Sequence, residues 1–364
     1  MNRDFNRAYL DVGTSPHEGW KTVSIQRSIE QASAQFSLEL TETWPGEENT
    51  IRIRPGDLCS ISIGNDLVIT GYVDRSKVAH RGDDHTISVS GRSKTADIVD
   101  CSIVQAKTKP AQWKNRTIEQ IADDVCFPYD VMVISNVVDL QPIKRFVGNV
   151  GATCFEVIEE VCREQRLLVT DTPAGELYLT RVGVISGPDF IHPGNILESS
   201  VDCDVSERFS RYIVKGQTAG DDQNWGEISA GVEGVIDDLS DLQRFRLKTI
   251  HGEKAMTKAD AIARAKWESN TRAGRSASVS ITVQGWRDET GKLYDVNRVC
   301  WVYDEVIGVA AFLLTVSVEF VLNNDDGQIT RITLAPPSAY EPEPPKAKKI
   351  TAGIKQFQVG GGVK

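Results

Sequence analysis

His17–Glu18 opens like the helical zinc motif in which two histidines sit one turn apart, but Lys21 stands where the second histidine is needed. Gly91–Arg92–Ser93–Lys94–Thr95 ends like a phosphate-binding loop, yet Ser93 replaces its second glycine and the run of residues that would form the backbone cradle is missing. No Gly-x-Ser-x-Gly elbow presents a nucleophilic serine. His80 and His85 flank a hairpin turn, where solvated histidines are ordinary, and five histidines in all are too dispersed to nominate a base. The seven cysteines (Cys59, Cys101, Cys126, Cys154, Cys162, Cys203 and Cys300) lack the paired spacing of a metal knuckle, and most lie in apolar segments that suit buried free thiols. Carboxylates recur as neighbours at Asp83–Asp84, Asp123–Asp124, Asp221–Asp222, Asp237–Asp238 and Asp325–Asp326. Neighbours on a strand face opposite ways and aspartate favours turns, so turn chemistry explains these pairs better than convergent glycosidase acids do. Asn115–Arg116–Thr117 has the form of a glycosylation sequon and Arg81–Gly82–Asp83 that of an integrin tripeptide, but a helix start and a hairpin tip account for them. No catalytic, cofactor-binding or metal-binding set emerges.

The elements that would position any site are mostly strands. Residues 20–29 and 34–42 alternate apolar with polar, and short strands follow at 58–63, 67–78 and 86–91 between turn clusters such as RPGD. The pattern then changes. Thr117 with Gln120, and Thr153 with Glu156, are capping boxes that open two amphipathic helices. The second feeds two strands around a Pro-Ala-Gly turn. A polar stretch over residues 217–241 predicts an exposed loop, Thr257 with Asp260 caps a third helix, and strands return from Ala277 to Leu334. PPSAYEPEPPKAKK cannot continue a sheet or helix and predicts an extended linker before a mobile tail.

Two segments resemble each other. LVITGYVDRSKVAHRGDDHTISV and FLLTVSVEFVLNNDDGQITRITL each run from an apolar stretch ending in Thr (Thr70, Thr315) through a long strand to paired aspartates and on to an isoleucine (Ile87, Ile329). Either two unrelated meanders share hairpin chemistry, or one barrel has been duplicated, a copy at each end of the chain.

Composition sets the class. With 364 residues, 40% hydrophobic and 25% charged, the chain can hold two to four globular domains. A net charge of −10 argues against a nucleic-acid-binding surface, and no apolar run approaches the roughly 20 residues that span a bilayer. The first residues carry no signal-like apolar segment, so cytoplasmic synthesis is expected.

Taken in order, WKTVSIQRSIEQASAQFSLEL, RPGDLCSISIG, ITGYVD, ISVSGRSKTADIVDCS, RFSRYIVKGQ and RAKWESNTRAGRSASVSITVQGW resemble the central baseplate hub family of contractile-tailed bacteriophages, in its Mu-like branch. The likeness covers most of residues 20–334 and rests on strand, turn and helix phrases, so it implies a fold and no active site. It implies a β-rich α+β fold with two similar antiparallel β-barrel tube domains (1–100 and 188–335, the second with an inserted loop and helix), a small α/β module at 101–187, and a Pro-rich linker and tail at 336–364. It also implies a non-enzymatic homotrimer with no cofactor, which joins the sixfold tail tube protein to a separate threefold spike protein, contacts other baseplate proteins, and leaves an axial channel for DNA. Such a protein is assembled in the host cytoplasm and ends in the virion.

Two other readings stay open. A tail-associated cell-wall hydrolase would need convergent acids or a nucleophile and base. A carbohydrate-binding β-protein would need exposed aromatics, but Trp20, Trp113, Trp267, Trp286 and Trp301 lie mostly in core patterns, leaving Trp44 and Trp225 in turns. Asp237, Asp238, Arg244 and Arg246, where the long loop passes from acidic to basic, are expected to make subunit contacts.

Overall fold

Alternating apolar residues build a 14-stranded sheet in the computed structural model. Its strands are β1 (Ala8–Val12), β2 (Ser15–His17), β3 (Thr22–Ser28), β4 (Gln35–Glu42), β5 (Leu58–Ile63), β6 (Asp66–Arg81), β7 (Asp84–Ser93), β8 (Ile185–Ser186), β9 (Phe190–His192), β10 (Ile196–Cys203), β11 (Ala277–Gln284), β12 (Arg298–Asp304), β13 (Val309–Asn323) and β14 (Gly327–Ala335). The structure describes residues 3–13, 15–42, 53–81, 84–104, 111–138, 140–165, 167–183, 185–216, 231–238, 244–252 and 256–340. The sheet belongs to one compact unit (Met1–Arg208 with Ser269–Glu343), and a second unit is centred on Phe209–Glu268.

The path through the sheet is β10-β11-β14-β13-β3-β4-β7-β6-β5-β1-β2, with β12 on β13 and both β8 and β9 on β12. Its two halves repeat one order, β3-β4-β7-β6-β5 and β10-β11-β14-β13-β12. They differ beyond it: β1 runs antiparallel to β5, whereas β9 runs parallel to β12. The path does not close into a barrel among the described strands, and both halves lie in one continuous sheet. The halves match through their bulges, between Val73 and Arg75 on β6 and between Thr315 and Ser317 on β13. That match sets Arg75 against Ser317 and Val73 against Thr315, so the Thr70–Thr315 correspondence read from the sequence is out of register. Residues such as Val23, Ile25, Phe36, Leu38, Val279 and Ile281 point to one buried core shared by both halves.

The halves meet where β3 lies antiparallel along residues 317–322 of β13, with Phe320 opposite Ile25 and Glu319 opposite Gln26. Two nearly buried arginines also link the halves. Arg27 donates to Asp295 Oδ1 at 3.0 Å and to the Asp171 carbonyl at 3.0 Å, with its guanidinium 3.8 Å from the Asp171 carboxylate. Asp171 in turn accepts from the Ala34 amide at 3.0 Å, so this pair ties together both halves and the α/β module. Arg287 reaches Asp66 Oδ2 at 2.6 Å and the Ile63 carbonyl at 3.0 Å, and lies over the Phe5 ring.

The module packs α1 (Ala96–Asp100), α2 (Ile118–Cys126) and α3 (Cys154–Gln165) around Ile118, Ile121, Val157, Ile158, Leu177 and Leu179. Both capping boxes form: the Gln120 amide donates to Thr117 Oγ1 at 3.4 Å, and the Glu156 amide to Thr153 Oγ1 at 3.2 Å. In the second unit, Arg211–Gly216 is the central strand between antiparallel Val232–Asp237 and parallel Leu247–His251. The helix α4 (Lys258–Arg275), opened by Thr257 and Asp260, contributes buried Ala261 and Ala265. Val232–Asp237 falls within the stretch expected as loop. It is a strand because Gly234 lets the helix approach: a Cβ there would lie 2.3 Å from the Ala261 backbone. Residues 217–230, 239–243 and 341–364, including Asp221–Asp222, Trp225 and the expected tail, lie outside the described residues, as do Trp44 and Asp83.

Two substitutions test this construction. A Cβ at Gly91 would fall 2.1 Å from the Tyr72 carbonyl oxygen and 2.8 Å from the Phe36 ring. Gly91→Ala therefore lowers stability by about 1–3 kcal/mol, read as a shifted urea midpoint at unchanged slope. Burial raises the Asp171 carboxyl above the ordinary carboxylate value, with Arg27 opposing the rise. Because the folded state holds that proton more tightly, the stability from protonated Asp171 is full below its unfolded value and is lost as pH rises through the folded one. Arg27→Met strands the ionised carboxylate and costs ~3–5 kcal/mol near neutrality. The cost shrinks toward acid pH, and Asp171→Asn in the same chain recovers most of it. A pH-independent loss in denaturation curves would refute the pairing.

Candidate interaction surfaces

The residues that mimic chemical motifs are engaged in the fold. Arg92 pairs with Asp74 at 2.7 Å and Asp100 at 2.8 Å, and hydrogen bonds to both carboxylates raise its pKa further. Lys94 reaches Asp130 at 3.3 Å, and the buried Ser93 and Thr95 hydroxyls share a hydrogen bond of 2.6 Å. No cradle for a phosphate is left. Burial lowers the His17 pKa against the pull of Asp11. Asp124 accepts from Trp113 Nε1 at 3.1 Å, and the Asp325 and Asp326 amides donate to the Asn323 side-chain oxygen. Among the described residues no three His, Cys, Asp or Glu side chains gather closely enough to hold a metal.

The four residues expected at a subunit contact lie in the second unit. Asp237 faces Arg211 across neighbouring strands, and the two form a 3.1 Å ion pair. The Asp238 amide donates to the Ser210 carbonyl at 2.9 Å. The Arg246 guanidinium lies 4.9 Å from the Phe209 ring centre, while its amide donates to Ser210 Oγ at 2.7 Å. Arg244 is exposed. The acidic-to-basic run thus brings three of these residues around one strand end, within the chain itself.

The large sheet offers three kinds of surface. Its outer face is polar and rich in small side chains, with Gln26, Ser200, Ser280, Ser317, Glu319 and Thr333 bordering a shallow groove. Near β12, Phe312 is exposed with its ring 4.9 Å from half-buried Trp301, which the sequence pattern had assigned to the core. Alternation alone could not assign that face, because β12 is apolar on both sides. Third, β10 pairs only with β11, and β6 beyond Val73 only with β7, so each presents an open edge among the described strands.

Comparison with known proteins identifies this architecture. Residues 8–93 match the family "Mu phage baseplate assembly protein GpP-like, N-terminal", residues 95–181 "Baseplate hub protein gp44-like, second domain", and residues 257–343 "Mu phage baseplate assembly protein GpP, fourth domain". Over 330 residues the chain is 33% identical to the baseplate hub protein gp44 of Escherichia phage Mu, spanning 88% of this chain and 86% of that protein. The chain belongs to the Mu-type baseplate hub family. A crystal structure of the 43 kDa tail protein of prophage MuSo2 from Shewanella oneidensis is similar at a TM-score of 0.82 and 32% identity, covering 92% of this chain and 99% of that one. The tail protein of Neisseria meningitidis MC58 shares the fold at a TM-score of 0.77 and 19% identity, over 93% and 98% of the two chains. A component of the Escherichia coli type VI secretion system shares it at 0.56 and 10% identity, over 92% and 79%. This hub protein is therefore a phage tail component. No helix among the described residues is long and apolar enough to cross a membrane.

The hub's thiols give a direct check on its packing. All seven are free. Cys203 is exposed and Cys101 half-buried, while burial pushes Cys59 and Cys126 up to about 12 and Cys154 up to about 11. An alkylating reagent at pH 8 should leave Cys59, Cys126, Cys154, Cys162 and Cys300 unmodified in the native chain and label all five in urea. Peptide mapping that finds native Cys126 labelled would refute the buried assignment.

Proposed function

We propose that this chain is the structural hub of a contractile tail, a homotrimer that joins the sixfold tail tube to the threefold spike and leaves an axial path for DNA. One observation carries the reading beyond family membership: each chain holds the same strand order twice within one sheet. If each half acts as a tube domain, 1–100 and 188–335, three chains present six equivalent domains to the tube and three chains to the spike. The module at 101–187 and the tail at 336–364 meet other baseplate proteins in this reading. Exposed Arg244, with Asp237, Asp238 and Arg246 beside it, is a further contact region in this reading.

The hub works without catalysis or cofactor. It is assembled in the host cytoplasm and carried into the virion, with the tube protein and a separate spike protein as its neighbours. DNA passes without specific binding. A net charge of −10 per chain becomes −30 in a trimer, which repels a polyanion wherever it faces the path.

Light scattering across a concentration series should give about 120 kDa, three times the 40.1 kDa chain. A gel shift with duplex DNA at low salt should show no complex. A monomer at high concentration would refute the hub assembly, and tight, salt-sensitive DNA binding would refute the non-adhesive path. Clearing of a cell-wall zymogram, abolished by one carboxylate substitution, would decide for the hydrolase instead.

A further inference from the structure

The α/β module carries a short two-stranded ribbon. Trp113 pairs with Phe146 and Gln112 with Val147, and the same register continues to a bridge between Arg116 and Ile143. That register sets Lys114 opposite Arg145, and Asn115 opposite Lys144, where the Asn115 amide donates to the Lys144 carbonyl at 3.2 Å. Lys114, Arg116, Lys144 and Arg145 are all exposed, and none forms an ion pair among the described residues. Residues 111–116 and 143–147 contain no acid, in a chain with 51 acids against 41 lysines and arginines. The ribbon is therefore a basic island on an acidic protein.

This arrangement works against the fold. Like charges directly across a strand pair are destabilising. Arg116 precedes Thr117, the cap of α2, at the helix end where the dipole favours an anion. The ribbon is nonetheless well anchored. Trp113 and Phe146 stack with 5.8 Å between ring centres and pack on the module's core, and Asp124 accepts from Trp113 Nε1 at 3.1 Å. Gly148 is part of that fit, since a Cβ there would lie 2.9 Å from Ile103 Cδ1. An anchored base thus displays four cations that nothing in the module neutralises.

We propose that this ribbon docks a short, extended acidic segment of a second protein, whose carboxylates at alternate positions meet the four cations. This rests on the reading in which the module meets other baseplate proteins, and it names that partner's chemistry. Two observations favour a peptide over other anions. Neither strand pairs with a third among the described residues, so an extended chain also finds main-chain partners along the ribbon. Charges are screened beyond about 8 Å at physiological salt, so a short segment feels mainly the four cations beneath it. Duplex DNA or an anionic bilayer would extend over the rest of a chain whose net charge is −10.

The probe is a fluorescein-labelled peptide alternating glutamate with valine, followed by fluorescence polarisation against the full chain at low salt. It should bind, and a peptide with glutamine in place of glutamate should bind about tenfold more weakly or worse. Lys114→Glu with Arg145→Glu should weaken the glutamate peptide about tenfold or more and take up a lysine–valine peptide instead. Lys258→Glu with Lys266→Glu, reversing two exposed cations of the second unit, should change neither. Lys114→Glu alone should give a signature that a structural role would not: a higher urea midpoint at unchanged slope, together with weaker peptide binding. A lower midpoint would overturn the claim that these cations oppose the fold. A wild type that does not bind, or an equal loss in the second-unit control, would overturn the docking site. Duplex DNA or phosphatidylglycerol vesicles that bind more tightly than the peptide through the same residues would overturn the acidic-segment assignment. Each of those results leaves the mass from light scattering untouched, whereas a monomeric chain that still binds the peptide would remove the hub assembly and keep this site.

Discussion

The register of β3 on β13 is the constraint on which the large unit depends. It sets Phe320 against Ile25 on the buried side and Glu319 against Gln26 on the polar side. A slip of one residue would exchange those faces along the whole seam and expose the shared core of both halves. Arg27, on β3 itself, and Arg287, elsewhere between the halves, add to that specificity, because each is almost buried and draws its acceptors from distant segments. A buried ion pair is weak evidence of net stability, but losing one partner is costly, so these pairs penalise the wrong arrangement more than they reward the right one.

What the sequence disclosed was local. The capping boxes at Thr117 and Thr153 need only four neighbouring residues, and both form as read. The repeat was visible through its aspartate turns and isoleucines, but matching Thr70 with Thr315 misplaced it by three residues. The bulge that sets the true match is a property of two paired strands, and neither strand carries it alone. The joining of residues 22–28 to 317–322 was likewise illegible, since alternation tells which face is buried but not which strand lies alongside. α1 was missed because it spans five residues, and β1 and β2 because they are short. The strand Val232–Asp237 was hidden by glycine and acidic residues, which read as loop until a helix is seen packed on Gly234.

Asp237 and Arg246 show the same limit at the level of sites. Their charges suggested contacts with another subunit, and the fold brings Arg211 and Phe209 to them first. Charge order along a chain does not reveal which partner is nearest in space. The polar face of the sheet is easier to interpret. Arg331, a cation bordering its groove, lies 3.6 Å from Glu319 and 4.0 Å from Asp326. The rest of that border is mainly hydroxyl and amide groups, a surface poor in the clustered cations that phosphate contacts need.

Open strand edges are hazardous, because any exposed strand can add to them. The two edges of this sheet are guarded differently. The β6 edge carries Arg75 and Lys77, and the β10 edge carries Glu198 and Asp202. Two β6 edges brought together would place cations near cations, and two β10 edges would place acids near acids. Those like charges oppose association of each edge with a copy of itself. The two halves share one strand order and differ in the charges at these edges, so the backbone plan is repeated while the side chains that guard it are not.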